Sequence, residues 1–368
     1  MKTGLISIDL LKVCNSSGLQ SLAHSGNNTG NMFFSKAILN QLSNPSVIGF
    51  EFNNHIPFIN KDFSSVVIAA ANWIIGDVNF GFLVKQLDKL TIPLCCVGLG
   101  SQVKSEHVQF IPTENVELLR VIAKKSKLIG LRGSKTKEIL NNLGIQNVTV
   151  IGCPSIFPNF QPIKNLDLTP LYVNSRLSIS FTRYTKSDPD QHGYQQKIAQ
   201  LAAQFSSSIV LQSEEAEIRY LESPDAEIAA WLCFYYNIDE NDLPRLVSKL
   251  QFFNSQESWV QFHRENTDFT ISSRIHGCVA SLLAGKPALL LAHDQRTTEL
   301  AETMGIPQRP IECVANIQTK EDLLNLIRDL DYTDFFAKQI VNLEKLKHLY
   351  KTCGVETSFP LLRLKKTV

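Results

Sequence analysis

The sequence predicts an α/β protein built from two Rossmann-like domains that face each other across a cleft. Three observations predict it. Short apolar runs alternate with helical periodicity through the first half of the chain, the alternation breaks in a proline-rich stretch, and it then resumes. Such alternation builds a mainly parallel sheet with helices on its faces. At 368 residues the chain is also too long for one ordinary core.

In the first domain, residues 1–165, strands are predicted at 46–52, 65–71, 93–98, 127–131 and 148–153. Helical spacing falls at 31–42, 80–90, 115–125 and 134–143, with Gly144 placed to end the last of these. Pro154, Pro158, Pro162 and Pro170 then crowd a stretch without apolar periodicity, which suits a connection between domains. The second domain, residues 171–335, opens on the strand-like run Leu177-Ser-Ile-Ser-Phe-Thr-Arg183. Further strands are predicted at 208–211, 269–272 and 287–292, with helices at 195–205, 225–236 and 243–264. Residues 336–368 are expected to form a C-terminal helix and tail that packs at the junction. This two-domain arrangement is the one called GT-B-like among glycosyltransferases.

Composition narrows the function. A net charge of +1 gives no basic surface for nucleic acid, so none is expected as a partner. The eight cysteines form no C-x-x-C pair, and no dense cluster of Asp and His suggests a metal site, so no metal is expected. With no cleavable leader and no apolar run of membrane length, the expected location is cytoplasmic, with at most peripheral membrane contact. The cysteines then read as reduced and mostly buried. Oligomeric state is not legible.

The most informative stretch is Ile271-Ser-Ser-Arg-Ile-His-Gly-Cys278. It reads as a strand handing over to a short apolar helix, with Arg274, His276 and Gly277 at the handover. Ligands of open α/β sheets bind at carboxyl ends of strands, where a helix N-terminus offers free N–H groups to an anion. Arginine and histidine there suit a substrate that carries phosphate or carboxylate and needs a proton moved. The same residues would also serve as a helix cap paired with a buried carboxylate, and spacing alone does not separate the two.

Five further sites carry polar groups. Asn28 and Asn31 sit in a polar turn before the first predicted helix, where they bind substrate or simply cap it. Asn72 precedes Trp73, a ring that would stack on a sugar or bury its area at the domain edge. Ser101 and Gln102 close the glycine turn that begins at Gly98. Arg132 and Arg183 each end an apolar run, as Arg274 and Arg296 do; any one of them alone reads equally as a surface charge.

Ser273-Arg-Ile-His-Gly277, Ala284-Gly-Lys-Pro287 and His293-Asp-Gln-Arg-Thr-Thr-Glu-Leu300 together resemble the C-terminal signature of the polysaccharide pyruvyl transferases. Gly130-Leu-Arg-Gly-Ser134, leading to Asn147-Val-Thr-Val-Ile-Gly-Cys-Pro-Ser155, resembles that family's arginine-then-serine element. Gly26-Asn-Asn-Thr-Gly-Asn-Met32 resembles its N-terminal loop, so the resemblance runs from about residue 25 to about 310. It implies an enzyme that moves the pyruvyl group of phosphoenolpyruvate onto a sugar as a cyclic ketal. The acceptor would be a sugar or lipid-linked oligosaccharide on the first domain, with the donor on the second and no cofactor. His276 would then be the acid and base, Arg274 its catalytic neighbour, and Arg132, Arg183 and Arg296 the anion contacts. Two departures stand out. Asn28 and Asn31 occupy positions where many members carry an acidic residue, and Arg296 stands where many carry lysine. His293 competes for the acid role, or is an ordinary hydrogen-bonded histidine at a strand end. The rival enzyme is a glycosyltransferase using a nucleotide sugar, for which Glu214, Glu215 and Glu217 are candidate ribose carboxylates. A non-catalytic partner in glycan assembly is the third reading.

Overall fold

A computed structural model describes residues 2–103, 105–183 and 189–358. The fold is α/β and the chain divides into two compact units, each with its own six-stranded, all-parallel sheet. Unit 1 holds Met1–Ile8, Phe34–Pro162 and Lys338–Val368; unit 2 holds Asp9–Phe33 and Ile163–Ala337. Residues 359–368 of the expected tail lie outside the described residues.

Unit 1 is built on β1 (Lys2–Ile6), β2 (Pro45–Val47), β3 (Phe63–Ala69), β4 (Leu94–Leu99), β5 (Ser126–Leu131) and β6 (Val148–Val150), in the order β2-β1-β3-β4-β5-β6. The strands β3 and β4 are buried along nearly their whole length, as strands covered on both faces must be. Their side chains join Leu118, Ile122, Ile139 and Leu140 from the covering helices in one core. The end of the chain belongs here because its groups find partners here. Tyr350 donates its hydroxyl to Gln41 Oε1 at 2.8 Å, and Cys353 Sγ contacts Leu128 O at 3.3 Å.

Unit 2 is built on β7 (Leu177–Ser180), β8 (Ser208–Leu211), β9 (Leu250–Phe252), β10 (Phe269–Ser272), β11 (Ala288–Ala292) and β12 (Gln308–Pro310), in the order β9-β8-β7-β10-β11-β12. Counted from β7, that is the 3-2-1-4-5-6 order of a doubly wound Rossmann sheet. Its core joins Leu177, Ile179, Ile209 and Ile271 to the helix residues Ile198, Leu201, Leu232 and Leu246. Asp9–Phe33 belongs to this unit through main-chain partners: Asn254 Nδ2 donates to Cys14 O and Ser16 O, and Thr29 N donates to Gln212 O. A single cut near residue 165 therefore does not describe the chain.

Several expected elements change. The run expected as one helix over 243–264 is a helix at Leu243–Lys249, the strand β9, and a second helix at Gln256–Asn266 capped by Ser255. The strand expected over 46–52 shortens to β2, after which the chain turns away through Gly49 at φ +78°. Helices at Leu10–Asn15 and Gly18–His24 were not anticipated, and neither was β1. Among the described residues no helix is long and apolar enough to cross a membrane.

The seam between β7 and β10 determines how closely the next helix, Ile275–Leu283, can approach. Ser180 Oγ and Ser272 Oγ lie 2.5 Å apart, fully buried. A Cβ on Gly277 would stand 2.5 Å from both oxygens, so only glycine lets the first turn of that helix close on the sheet. Gly277 therefore packs directly against the seam between the two strands. We expect Gly277→Ala to lower the urea midpoint by an amount equivalent to about 1–3 kcal/mol, the usual cost of overpacking a core.

His263, on the helix Gln256–Asn266, is completely buried, and burial holds its pKa down at about 3. It is neutral in the native state and takes up a proton near its ordinary value of 6.5 once the chain unfolds. Between those values the unfolded chain binds more protons, so stability falls as pH drops from 6.5 toward 3. His263→Gln should make the plot of Tm against pH shallower over that window, with little change in slope above it.

Candidate functional site

In unit 2 the strand order reverses between β7 and β10, and ligands of such sheets bind outside the carboxyl ends of the strands at that switch point. The chain delivers Phe181, Thr182 and Arg183 there from β7, Gln212, Ser213 and Glu214 from β8, and Ser273, Arg274 and His276 from β10. Register forces the meeting: Ile271 pairs with Ile179, Ser272 with Ser180, and Ile179 with Ile209.

Arg274 organises this end of the sheet. Its Nε donates to Phe181 O at 2.8 Å, and its Nη2 donates to Thr182 Oγ1 at 2.9 Å, to Glu214 Oε1 at 2.8 Å and to Ser213 Oγ. Glu214 in turn accepts from the backbone N–H groups of Gln212 and Ser213. Burial pushes the Glu214 carboxyl up, but Arg274 and Arg183 outweigh it and hold its pKa below the usual range. Burial also pulls the pKa of Arg274 down, against the opposing charge of Glu214. The pairing with a buried carboxylate that the sequence left open is therefore present, in Glu214. The fork is largely occupied, and Nη1 is the guanidinium nitrogen without a hydrogen-bond partner among the described residues.

Arg183 is committed as well. It pairs with the buried Glu217, which also accepts from Tyr236 Oη at 2.8 Å. Its guanidinium lies over the rings of Trp231 and Tyr235, at 4.8 and 5.0 Å from their centroids. Burial raises the pKa of Glu217 despite that arginine. Arg296 sits 3.1 Å from Asp294 Oδ2, and Asp294 caps the helix Gln295–Met304. His293 is buried with neither ring nitrogen hydrogen-bonded, which corrects the expectation of a bonded strand-end histidine. Burial depresses its pKa, with Asp294 opposing, so a proton on this ring is disfavoured.

His276 occupies the first turn of Ile275–Leu283 and is 5% exposed. The N-terminal loop comes up to it within the same unit. A Cβ on Gly30 would stand 2.6 Å from His276 Nδ1 and 3.0 Å from Asn28 Oδ1, so loop and ring meet at one point. Asn28 Oδ1 accepts from Gly30 N at 3.0 Å. Asn31 donates to Ser25 O at 3.0 Å and holds the loop closed. The backbone there needs left-handed residues at Gly26 (φ +70°) and Asn27 (φ +58°), which is why the loop is rich in glycine and asparagine.

The remaining expected residues lie in unit 1. Arg132, 4% exposed, donates from Nε to Gly98 O at 2.8 Å and lies 5.1 Å over the Phe34 ring, tying together the ends of β4 and β5. Ser101 spends its hydroxyl on the turn, donating to Val103 O at 2.8 Å and accepting from Val103 N at 3.0 Å. Gln102 N donates to Ile74 O at 2.8 Å in the same turn. Asn72 Oδ1 is buried without a partner, and a Cβ on Gly100 would meet it at 2.6 Å. In unit 2 the structure brings Asn28 and His276 together at Gly30 and places the Arg274 guanidinium at the ends of β7 and β8, while Asn72, Ser101, Gln102 and Arg132 lie at the strand ends of unit 1. Among the described residues no group of three His, Cys, Asp or Glu side chains is placed to hold a metal ion.

Sequence reasoning missed Gly30, Phe33, Gln195 and the pairing role of Glu214 and Glu217. Gln195 accepts from Thr182 N at 3.1 Å and from Ser273 Oγ at 2.7 Å, bracing the ends of β7 and β10 from a helix that showed only apolar periodicity. The one available signal was the count of arginines at strand ends, each of which needs a counter-charge when buried.

Comparison with known proteins follows from this geometry. In solved structures the chain is similar to a UDP-N-acetylglucosamine 2-epimerase from Rickettsia bellii, at 12% identity and a TM-score of 0.47, covering 95% of this chain and 96% of that one. It is similar to a UDP-GlcNAc 2-epimerase of Methanocaldococcus jannaschii in complex with UDP-GlcNAc and UDP, at 10% identity and 0.47, covering 95% and 100%. It is also similar to Anabaena Alr3699/HepE in complex with UDP and glucose, at 11% identity and 0.43, covering 96% and 98%. No curated protein matches the sequence significantly. The family model described as polysaccharide pyruvyl transferase matches residues 28–295, most of the chain, from Asn28 through Arg132, Arg183, Arg274 and His276. The chain belongs to the polysaccharide pyruvyl transferase family and is an enzyme of pyruvyl transfer.

Proposed function

We propose that this enzyme moves the pyruvyl group of phosphoenolpyruvate onto a sugar of a cell-surface polysaccharide or glycan precursor, forming a cyclic ketal and releasing phosphate. The observation that carries the reading is the position of His276, in the first turn of a helix at the switch point of unit 2, with Arg274 beside it in sequence and Asn28 at its edge. In the reaction, a proton reaches C3 of the enol and turns C2 into an electrophile. One sugar hydroxyl attacks C2, the C2–O bond to phosphate breaks, and a second hydroxyl closes the ring. Of the two hydroxyl protons, one balances the new methyl group and the other leaves with phosphate. His276 supplies the first proton and recovers one from the attacking hydroxyl, a role that an imidazole, with one nitrogen to give a proton and one to take it, can fill. The positive end of the helix Ile275–Leu283 and the guanidinium of Arg274 serve the anion. No cofactor or metal enters this scheme; the reading places it in the cytoplasm, with an acceptor that is free or lipid-linked.

Phosphoenolpyruvate should raise Tm, because a ligand that binds only the native state stabilises it by mass action. Nucleotide sugars should raise it less. If UDP-sugars stabilise the protein and millimolar phosphoenolpyruvate does not, a nucleotide-sugar glycosyltransferase becomes the better reading, although Glu214 and Glu217, its candidate ribose carboxylates, are already ion-paired.

His276→Gln should stay folded and bind phosphoenolpyruvate while losing turnover by roughly 10²–10⁴-fold. His293→Gln should be much milder. A dead His293 variant beside an active His276 variant would move the acid to the other histidine.

Arg274→Ala leaves Glu214 buried without its partner, at an expected cost of about 3–5 kcal/mol in stability. Combining it with Glu214→Gln should restore much of the Tm without restoring turnover. Recovery of both together would make Arg274 a strut and nothing more.

A further inference from the structure

The ring of His276 does not stand alone against the sheet. Phe33 is fully buried and stacks on it, with centroids 5.9 Å apart and planes 27° from parallel. Phe33 meets Trp259 edge-on at 4.8 Å and 90°, and Trp259 stacks in turn on Phe253 at 6.0 Å and 16°. Trp259 is itself 0% exposed and anchored at its polar end: Nε1 donates to His263 Nε2 at 3.0 Å. His263 is held neutral by burial, so a ring that accepts at Nε2 carries its hydrogen on Nδ1 and donates it to Thr267 Oγ1, 3.1 Å away. The indole therefore cannot rotate without breaking a buried hydrogen bond, and Phe33 cannot tilt without breaking its contact with the indole. Gly30 lies so close to Nδ1 that a methyl group there would stand 2.6 Å from it.

We infer that Phe33 and Trp259 are positioning residues for His276: together with the bare Gly30 they fix the plane of the imidazole, and so the line along which its proton travels. The inference rests on the reading of His276 as the proton donor. None of the three residues needs to touch substrate. Their effect belongs in turnover and not in donor affinity, since proton transfer to carbon depends on alignment, and misplacement by about 1 Å can cost 10²-fold.

The test is a set of variants compared with His276→Gln. In Phe33→Leu, which keeps an apolar side chain but removes the ring face, kcat should fall about 10–10²-fold with the KM for phosphoenolpyruvate within about twofold of wild type. The carbon-bound ring protons of His276, observed by NMR, should lose the ring-current shift that Phe33 imposes. Introduced into His276→Gln, the Phe33 change should cause no additional loss of turnover. Gly30→Ala supplies a second route that leaves the core intact, and it decides the matter if Phe33→Leu does not fold; it should show the same split between kcat and KM. If His276→Gln is dead while Phe33→Leu and Gly30→Ala turn over normally, the positioning role is wrong and the proton-donor reading survives. If His276→Gln is fully active, the proton-donor reading fails and this inference fails with it.

Discussion

The fan of hydrogen bonds around Arg274 is the contact on which the working end of unit 2 depends. One guanidinium reaches the carbonyl of Phe181 and the hydroxyl of Thr182 beyond β7, and the hydroxyl of Ser213 and carboxylate of Glu214 beyond β8. It does so from the residue that links β10 to its helix. Three strand ends, which lie side by side only because the sheet is wound in this order, are thereby fixed relative to one another. The hydroxyl of Ser272 secures the same turn from below, accepting from Arg274 N at 2.9 Å and donating to Arg274 O at 2.8 Å. With the turn set, the direction in which His276 leaves the helix is also set. A planar fork with several donors can make these connections at once; an ammonium cannot.

Charge is handled by pairing within the fold. Arg274 and Glu214, Arg183 and Glu217, and Arg296 and Asp294 each place a guanidinium against a carboxylate. The two buried pairs, Arg274–Glu214 and Arg183–Glu217, contribute little net stability, because desolvation offsets most of the attraction. Their effect is to hold cations where an isolated arginine would turn toward water. It also explains how Arg183, Arg274 and Arg296 can sit at strand ends of one unit without leaving a net local charge.

Much of this fold was legible because its strands are buried on both faces and therefore apolar in sequence. The strand ends at Ser208–Leu211 and Phe269–Ser272 match expectation residue for residue, since each is bounded by polar or small residues that cannot continue it. The Arg-x-His element was legible for the same reason. β9 and β12 were not: each has three residues, and β9 lies inside the run whose spacing reads as one helix over 243–264. The allegiance of Asp9–Phe33 to unit 2 rests on backbone contacts with Asn254 and Gln212 that no periodicity encodes. In the site, residue types were readable but commitments were not. Nothing in the sequence says that Ser101 closes its own turn, that Gly277 is a clearance between two serine hydroxyls, or that Arg183 is flanked by Trp231 and Tyr235. These are long-range pairings, and they become visible only when strands far apart in sequence are placed in register.

The commitments bear on how an anion is recognised. A donor such as phosphoenolpyruvate, as proposed, would approach guanidinium groups whose charges are already balanced by Glu214, Glu217 and Asp294. The attraction it meets then comes from oriented dipoles, such as the positive end of the helix Ile275–Leu283, more than from unbalanced positive charge. Such a site favours a ligand that fits the directions of those donors over one that is merely negative. It also costs the empty protein little, since no cluster of like charges has to be held together while the donor is absent. Fixing the plane of His276 follows the same logic. Where recognition depends on direction, the group that moves the proton must also be held in direction, and the aromatic contacts of Phe33 with His276 and Trp259 supply that constraint without adding charge.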